Sequence, residues 1–299
     1  MQRSGPMIVR DAKHGGLEVL APAKLNLFLE ILGKRPDGYH ELESLMVAVD
    51  LFDTLTFVDD PSGEIRLTCD EPALPTDSAN LVVQAAARLK AATGVDRGVS
   101  IALRKAIPAR AGLAGGSSDA AATLVALDRL WGVGLSPNRL ETLAGTIGSD
   151  VAFFLNAPAA VCRGRGERVE KLALRSPLHF VVICPPVGVS TVDVYANLIP
   201  PDRPRPIGDA LEALISADPI ALGRTLFNRL QPVAEAIEPG LEQVRRALEE
   251  MGPSLDGFLM SGSGAAYYGL CRDESAAGHA ARHLGSLGLG WARAVTCGP

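Results

Sequence analysis

With 299 residues, 47% hydrophobic and 21% charged, the chain is long enough for two ordinary domains and too apolar to be generally disordered. The formal net charge of −5, from 29 basic and 34 acidic residues, argues against a broad nucleic-acid interface, which needs a basic stripe to release counterions. No apolar run reaches the roughly 20 residues that span a bilayer, so no membrane partner is expected.

Five cysteines (Cys69, Cys162, Cys184, Cys271, Cys297) lack the spacing of a zinc knuckle or a redox pair. They read as buried thiols in a reducing compartment, and the expected location is cytoplasmic. The residues up to Gly16 mix Arg3, Arg10, Asp11 and Lys13 with glycines and have no apolar signal core, so a frayed leader is expected there. From Ala23 to Ile31 the residues alternate, Leu25, Leu27, Leu29 and Ile31 on one face and Lys24, Asn26, Phe28 and Glu30 on the other, which predicts a strand. Pro36-Asp37-Gly38 then predicts a tight turn. Ser44 to Val58 reads as β-rich, broken at Asp50 and Asp53.

A helix is predicted from Asn80 to Ala92, and a strand from Val99 to Ile107 that ends at Pro108. Ser118 to Trp131 reads as a helix, and Ser136-Pro137 opens another, with Ser as cap and Pro in the first turn. Later come a short strand at Phe180–Pro185, a helical stretch from Ile207 to Phe227 interrupted at Pro219, and an amphipathic helix from Pro239 to Met251. Leu255 to Leu270 brackets a glycine turn between two apolar runs. Strands and helices mingle in both halves without an internal repeat, which predicts an α+β class with two domains, 17–165 and 166–299.

The segment Pro108-Ala109-Arg110-Ala111-Gly112-Leu113-Ala114-Gly115-Gly116-Ser117-Ser118 carries the clearest chemistry. A strand leads in, glycines permit positive φ and close backbone approach, hydroxyls follow, and a helix begins. The first amides of that helix have no internal partner and sit at the positive end of the dipole, which makes an anion site. It is not a Walker loop, because no Lys-Ser or Lys-Thr follows the glycines. The glycine spacing does not match a dinucleotide fingerprint either.

Three further segments stand out: Ala23-Lys24-Leu25-Asn26, Gly148-Ser149-Asp150 before VAFFL, and Ser261-Gly262-Ser263-Gly264. Together with the glycine loop they resemble the motifs of the GHMP kinase superfamily. KLNLFLEILGKRPDGYHELES and GSDVAFFL resemble the branch that phosphorylates the 2-hydroxyl of cytidine-diphosphate-linked methylerythritol on the methylerythritol phosphate route to isoprenoids. The resemblance runs from about Ala21 to Leu270. It implies a two-domain GHMP kinase fold, with a ribosomal-protein-S5-domain-2-like N-terminal domain and a ferredoxin-like C-terminal domain, and with the site in the cleft between them.

By the same resemblance, Asp150 takes the acceptor's proton, and Lys24 keeps it ionised and stabilises developing charge. Asn26, Tyr39, His40 and Tyr195 contact the substrate, with Tyr39 and Tyr195 closing on the cytosine and His40 reading its edge. The loop from Pro108 to Ser118 binds ATP. Mg2+ is implied by ATP chemistry; its ligands are not assigned, with Ser118 and Asp119 the nearby candidates. Read without the family, Lys24 is rather a solvated strand-edge lysine and Asp150 a helix cap. One departure is Ala152, where the family usually has proline after the Asp-Val pair. The alternatives are another GHMP kinase, acting on a mevalonate derivative, homoserine or a sugar, or a non-catalytic nucleotide or ligand sensor on the same fold.

Overall fold

The structure, a computed structural model, describes residues 2–4, 6–12, 15–156 and 158–298. Strand β1 (Gln2–Ser4) pairs with β2 (Met7–Asp11), and β2 pairs antiparallel with β3 (Leu17–Lys34). The expected frayed leader is thus corrected to a hairpin. The reason lies in a short alternation: Met7 and Val9 point inward and are buried. Lys13 lies outside the described residues.

β3 runs antiparallel to β4 (His40–Asp60) across the turn at Gly38, whose φ of 86° suits glycine. Simple alternation predicts one solvated face for β3, but both faces are covered. Leu25, Leu27 and Phe28 join one core, while Lys24, Asn26 and Glu30 are also buried. Register shifts at Pro22/Ala23, Asn26/Phe28 and Ile31/Gly33 change which face successive residues meet. Asp50 and Asp53 do not break β4. The chain bulges near them, and each carboxylate takes backbone N–H groups, from Thr296 (2.6 Å) and from Ala106 (2.6 Å) and Ile107 (2.9 Å) respectively.

β5 (Ile65–Cys69) pairs parallel with β6 (Gly98–Arg104), and α1 (Leu81–Thr93) lies between them in sequence. Asn80 caps α1 by accepting from Val82 N at 2.9 Å, and Gly94, at φ 70°, ends it. β6 stops at Arg104, before the predicted Ile107, because the next amides turn away, that of Lys105 to Asp70 and those of Ala106 and Ile107 to Asp53. Helix α2 (Gly115–Leu130) begins three residues before the predicted Ser118. α3 (Pro137–Ile147) follows with Ser136 accepting from Arg139 N, and then α4 (Val151–Phe154). β7 (Ala159–Gly164) and β8 (Arg168–Leu172) form a hairpin, with β7 against β4.

β9 (Leu178–Cys184) opens the second sheet, followed by α5 (Thr191–Ala196), α6 (Gly208–Ser216) and α7 (Pro219–Thr225). Pro219 does interrupt the predicted long helix: Ala217 is left-handed, and Asp218 caps the new start. β10 (Phe227–Asn228) returns to pair parallel with β3. Then come α8 (Gln231–Ile237), α9 (Leu241–Glu250), β11 (Gly257–Met260), β12 (Tyr267–Cys271), α10 (Glu274–Ser286) and β13 (Trp291–Cys297).

Among the described residues, nine strands make one sheet, ordered β1-β2-β3-β4-β6-β5 with β7-β8 and β10 attached, and four make an antiparallel sheet ordered β11-β12-β9-β13. One core lies between the first sheet and α1 to α4, and a second between the two sheets. In the second, Phe180 meets Tyr268 edge-on at 5.5 Å. Each such ring contributes about 1.5–3 kcal/mol by leaving water. Glu30, fully buried, accepts from Arg229 Nε (2.8 Å) and Nη2 (2.7 Å) and so ties β10 to β3.

Candidate active site

A cleft of about 1190 Å³ opens where the glycine loop, the middle of β3, the Tyr39 turn, α5 and the β11–β12 turn converge. The loop is shaped by its neighbours. Gly112 has φ 74°, and a Cβ there would lie 2.0 Å from Ser261 O. Only glycine permits that approach. Lys24 N donates to Leu113 O (3.1 Å), Ala266 N to Ala111 O (3.0 Å), and Ser261 Oγ to Gly112 O (3.0 Å). The small-residue turn near the C-terminus therefore clamps the glycine loop.

Ala114 adopts φ 55° and starts α2 without any side-chain cap. The first intrahelical bond is Ser118 N to Ala114 O (3.0 Å), so the opening amides at Gly115, Gly116 and Ser117 face outward at the positive helix end. Ser117 lines the cleft, whereas Ser118 is buried inside the helix and its Oγ has no hydrogen-bond partner.

Lys24 is 3% exposed, and its Nζ donates to Asn26 Oδ1. Asn26 Nδ2 donates to Ser44 Oγ (2.8 Å), and Ser44 Oγ to Phe28 O (2.7 Å). The amide of Asn26 is thus committed to Lys24 and Ser44, although the residue also lines the cleft. Burial lowers the Lys24 pKa, against the opposing charge of Asp150. A solvated strand lysine is ruled out.

Asp150 stands before α4 with φ −90° and ψ −5°, and its side chain makes no capping hydrogen bond. Asp150 lines the cleft instead. Its charge supports the Lys24 ammonium and, after burial, raises the pKa of the Cys162 thiol and the Tyr195 phenol. These three groups sit on β3, β7 and α5, so Asp150 looks across the cleft at several elements.

Tyr39 is 52% exposed at the turn, with the Arg165 guanidinium 4.7 Å from its ring centre. His40 and Tyr195 have ring centres 5.2 Å apart at 34°, so it is His40 that Tyr195 meets here. Burial, then the charge of Lys34, lowers the His40 pKa, leaving a neutral imidazole at pH 7 with one donor and one acceptor.

Two features escaped sequence reasoning. The first is Arg165. The second is a buried charge cluster beneath the loop, in which Lys105 Nζ bonds Asp119 Oδ2 (2.8 Å) and Asp53 Oδ2. One cation serves two carboxylates. Asp53 also accepts from two backbone amides, so Asp119 is the less compensated carboxyl and the one that holds a proton more readily. Burial, then repulsion from Asp53, raises the Asp119 pKa to about 8, with Lys105 opposing. The available signal was an Asp inside the apolar run LFDTLTF together with a Lys just before the loop.

Residues 80–164 match the family described as GHMP kinases N terminal domain, and residues 210–288 match GHMP kinases C terminal. The chain is 45% identical over 271 residues to a 4-diphosphocytidyl-2-C-methyl-D-erythritol kinase of Pelotomaculum thermopropionicum, covering 89% of this chain and 93% of that one. It is 42% identical to the enzyme of the same name from Exiguobacterium sibiricum, covering 87% and 90%. A crystal structure of 4-(cytidine 5'-diphospho)-2C-methyl-D-erythritol kinase superposes with TM-score 0.78 at 40% identity, over 94% of this chain and 99% of that one. Homoserine kinase from Cytophaga hutchinsonii shares the fold, with TM-score 0.72 at 22% identity over 99% and 96% of the two chains. The fold is the α+β two-domain GHMP kinase fold. The chain belongs to the GHMP kinase family of ATP-dependent phosphotransferases, in the group of the 4-diphosphocytidyl-2-C-methyl-D-erythritol kinases.

Proposed function

We propose that this protein transfers the γ-phosphoryl group of ATP to the 2-hydroxyl of 4-diphosphocytidyl-2-C-methyl-D-erythritol, on the methylerythritol phosphate route to isoprenoids. The carrying observation is that one cleft is lined by the glycine loop, by Lys24 and Asp150, by Tyr39 and by the adjoining rings of His40 and Tyr195. A phosphate donor site, a proton acceptor and a pyrimidine platform thus face one another.

In this reading the amides opening α2 hold the ATP phosphates, and the clamp from Ser261 keeps the loop in shape. Asp150 takes the proton of the acceptor hydroxyl as its oxygen bonds the γ-phosphorus, and the bond to ADP breaks with its electron pair leaving on ADP. Lys24 stabilises the negative charge developing on the acceptor oxygen. Asn26 keeps the Lys24 ammonium turned into the cleft and adds a polar edge to the substrate wall. Tyr39 and Tyr195 provide aromatic faces for the cytosine, and neutral His40 matches its donor–acceptor edge.

Mg2+ fits the residues present. Ser118 Oγ and Asp119 Oδ1 are buried oxygens without hydrogen-bond partners, beside the start of α2, and hard oxygen donors suit this ion. These two residues would hold it. When bound, it neutralises phosphate charge during transfer.

The test is phosphate transfer from ATP to the cytidyl polyol, followed by mass spectrometry beside mevalonate and homoserine. A mass gain on the cytidyl acceptor alone is expected. Transfer only to another alcohol, or to none, overturns the proposal.

A further inference from the structure

Among the described residues five Lys and Arg side chains line the cleft: Lys24, Lys34, Lys105, Arg110 and Arg165. Lys24 is engaged with Asn26, and Lys105 is shared by Asp53 and Asp119. Arg110 belongs to the glycine loop, and Lys34 is exposed at the end of β3. Arg165 differs from all of these. It is half-buried and makes no ion pair among the described residues. Its guanidinium gives one long bond to Gly145 O (3.4 Å) and stacks on Tyr39. Asp37, the carboxylate of the Tyr39 turn, is paired with Arg35 at 3.2 Å and feels the Arg165 charge only as a weaker, more distant influence.

The position of Arg165 is well defined. It occupies the β7–β8 turn, where its N–H donates to Glu167 Oε2 at 2.6 Å. The next residue, Gly166, has φ 119°, and a Cβ there would lie 3.1 Å from Ser149 O. The turn therefore rests against the residue preceding Asp150, while the Arg165 side chain reaches the ring of Tyr39. Arg165 spans the distance between the general base and the pyrimidine platform.

We infer that Arg165 binds the diphosphate of the acceptor and thereby selects a cytidyl-diphosphate-linked alcohol over a simple one. The inference rests on the proposed function. In that acceptor the cytosine and the reacting hydroxyl lie at opposite ends, with the diphosphate between them. With the hydroxyl at Asp150 and the base at Tyr39 and His40, the diphosphate has to cross the space beside Arg165. A planar guanidinium matches two phosphate oxygens at once, and stacking on Tyr39 holds it pre-oriented. The ATP phosphates have a separate donor set at the start of α2, so the two anions do not compete for one group.

The experiment uses the full chain with Arg165→Gln, which keeps a planar group over Tyr39 and removes the charge, and with Arg165→Lys. Binding of CDP and of cytidine is measured by calorimetry, with ATP binding as a check on folding. Wild type is expected to bind CDP more tightly than cytidine. Arg165→Gln should weaken CDP by about 10- to 100-fold and leave cytidine unchanged, because only hydrogen bonds to a charged partner are lost. Arg165→Lys should recover part of the loss. Equal weakening of CDP and cytidine would reduce Arg165 to a support for Tyr39, and no weakening of either would remove it from the site; both overturn the inference. Those outcomes leave wild-type phosphorylation of the cytidyl acceptor intact, whereas failure of the functional reading appears in the wild-type enzyme itself.

Discussion

Nζ of Lys24 donates to Oδ1 of Asn26, its neighbour two positions along β3, and not to the carboxylate of Asp150. Asp150 acts on Lys24 as a nearby charge without a direct bond. Lys24 and Asp150 both line the cleft. That is the arrangement a general base and an oxyanion stabiliser require if they serve the same acceptor hydroxyl.

Asp150→Asn removes the proposed proton acceptor while leaving α4 intact, because the native side chain caps nothing. Turnover should fall by about 10²- to 10⁴-fold, the usual contribution of a general base. Nucleotide titration should give unchanged ATP binding. Near-normal turnover would remove Asp150 from the mechanism.

Lys24→Met exchanges a buried ammonium for an apolar side chain of similar length. Burial lowers the Lys24 pKa in the folded chain below its value in the unfolded one, so unfolding takes up a proton and stability rises with pH between the two values. The variant should melt at higher temperature near pH 7, lose that slope, and turn over at least about 10²-fold more slowly. Thermal melts from pH 6 to 10, run beside activity, check both halves. A drop in both would mean that Lys24 holds the fold rather than the chemistry.

Asp119 shows the opposite sign. Its folded pKa of about 8 exceeds the ordinary carboxylate value of 3.8, so the folded state binds more protons across that window and loses stability as pH rises through it. Asp119→Asn should flatten this part of the profile. Urea unfolding at pH 5 and pH 8.5 reads the difference between wild type and variant, and parallel profiles would place the extra proton elsewhere in the cluster.

Gly112→Ala places a methyl group 2.0 Å from Ser261 O at φ 74°. The backbone conformation alone costs about 1–3 kcal/mol, and the clash adds to it. A lower melting temperature and a raised KM for ATP are expected together, because the same clamp shapes the phosphate loop. An unchanged KM would show that the loop tolerates displacement from Ser261.

Local signals in the sequence were read well where the physics is local. Ser136-Pro137 opens α3, the helix read from Asn80 begins one residue later with Asn80 as its cap, and Pro219 splits α6 from α7, each through backbone groups a few residues away. The start of α2 was read three residues late, because Gly115 and Gly116 look like loop and no side-chain cap marks the true beginning. The leader was misread because a strand of five residues, Met7–Asp11, shows its two-residue period only through Met7 and Val9.

By itself, the sequence determined the glycine-rich loop, the order of the motifs and the family, since these depend on residue type at short spacing. The tertiary structure decided how those parts are held. It buried both faces of β3, passed Lys24 to Asn26, left Asp150 uncapped and facing the cleft, placed Lys105 between Asp53 and Asp119, and laid Arg165 over Tyr39. The last two join residues far apart in the chain, for which no periodicity exists. A charge is stable in the interior only beside partners, and folding alone brings those partners together.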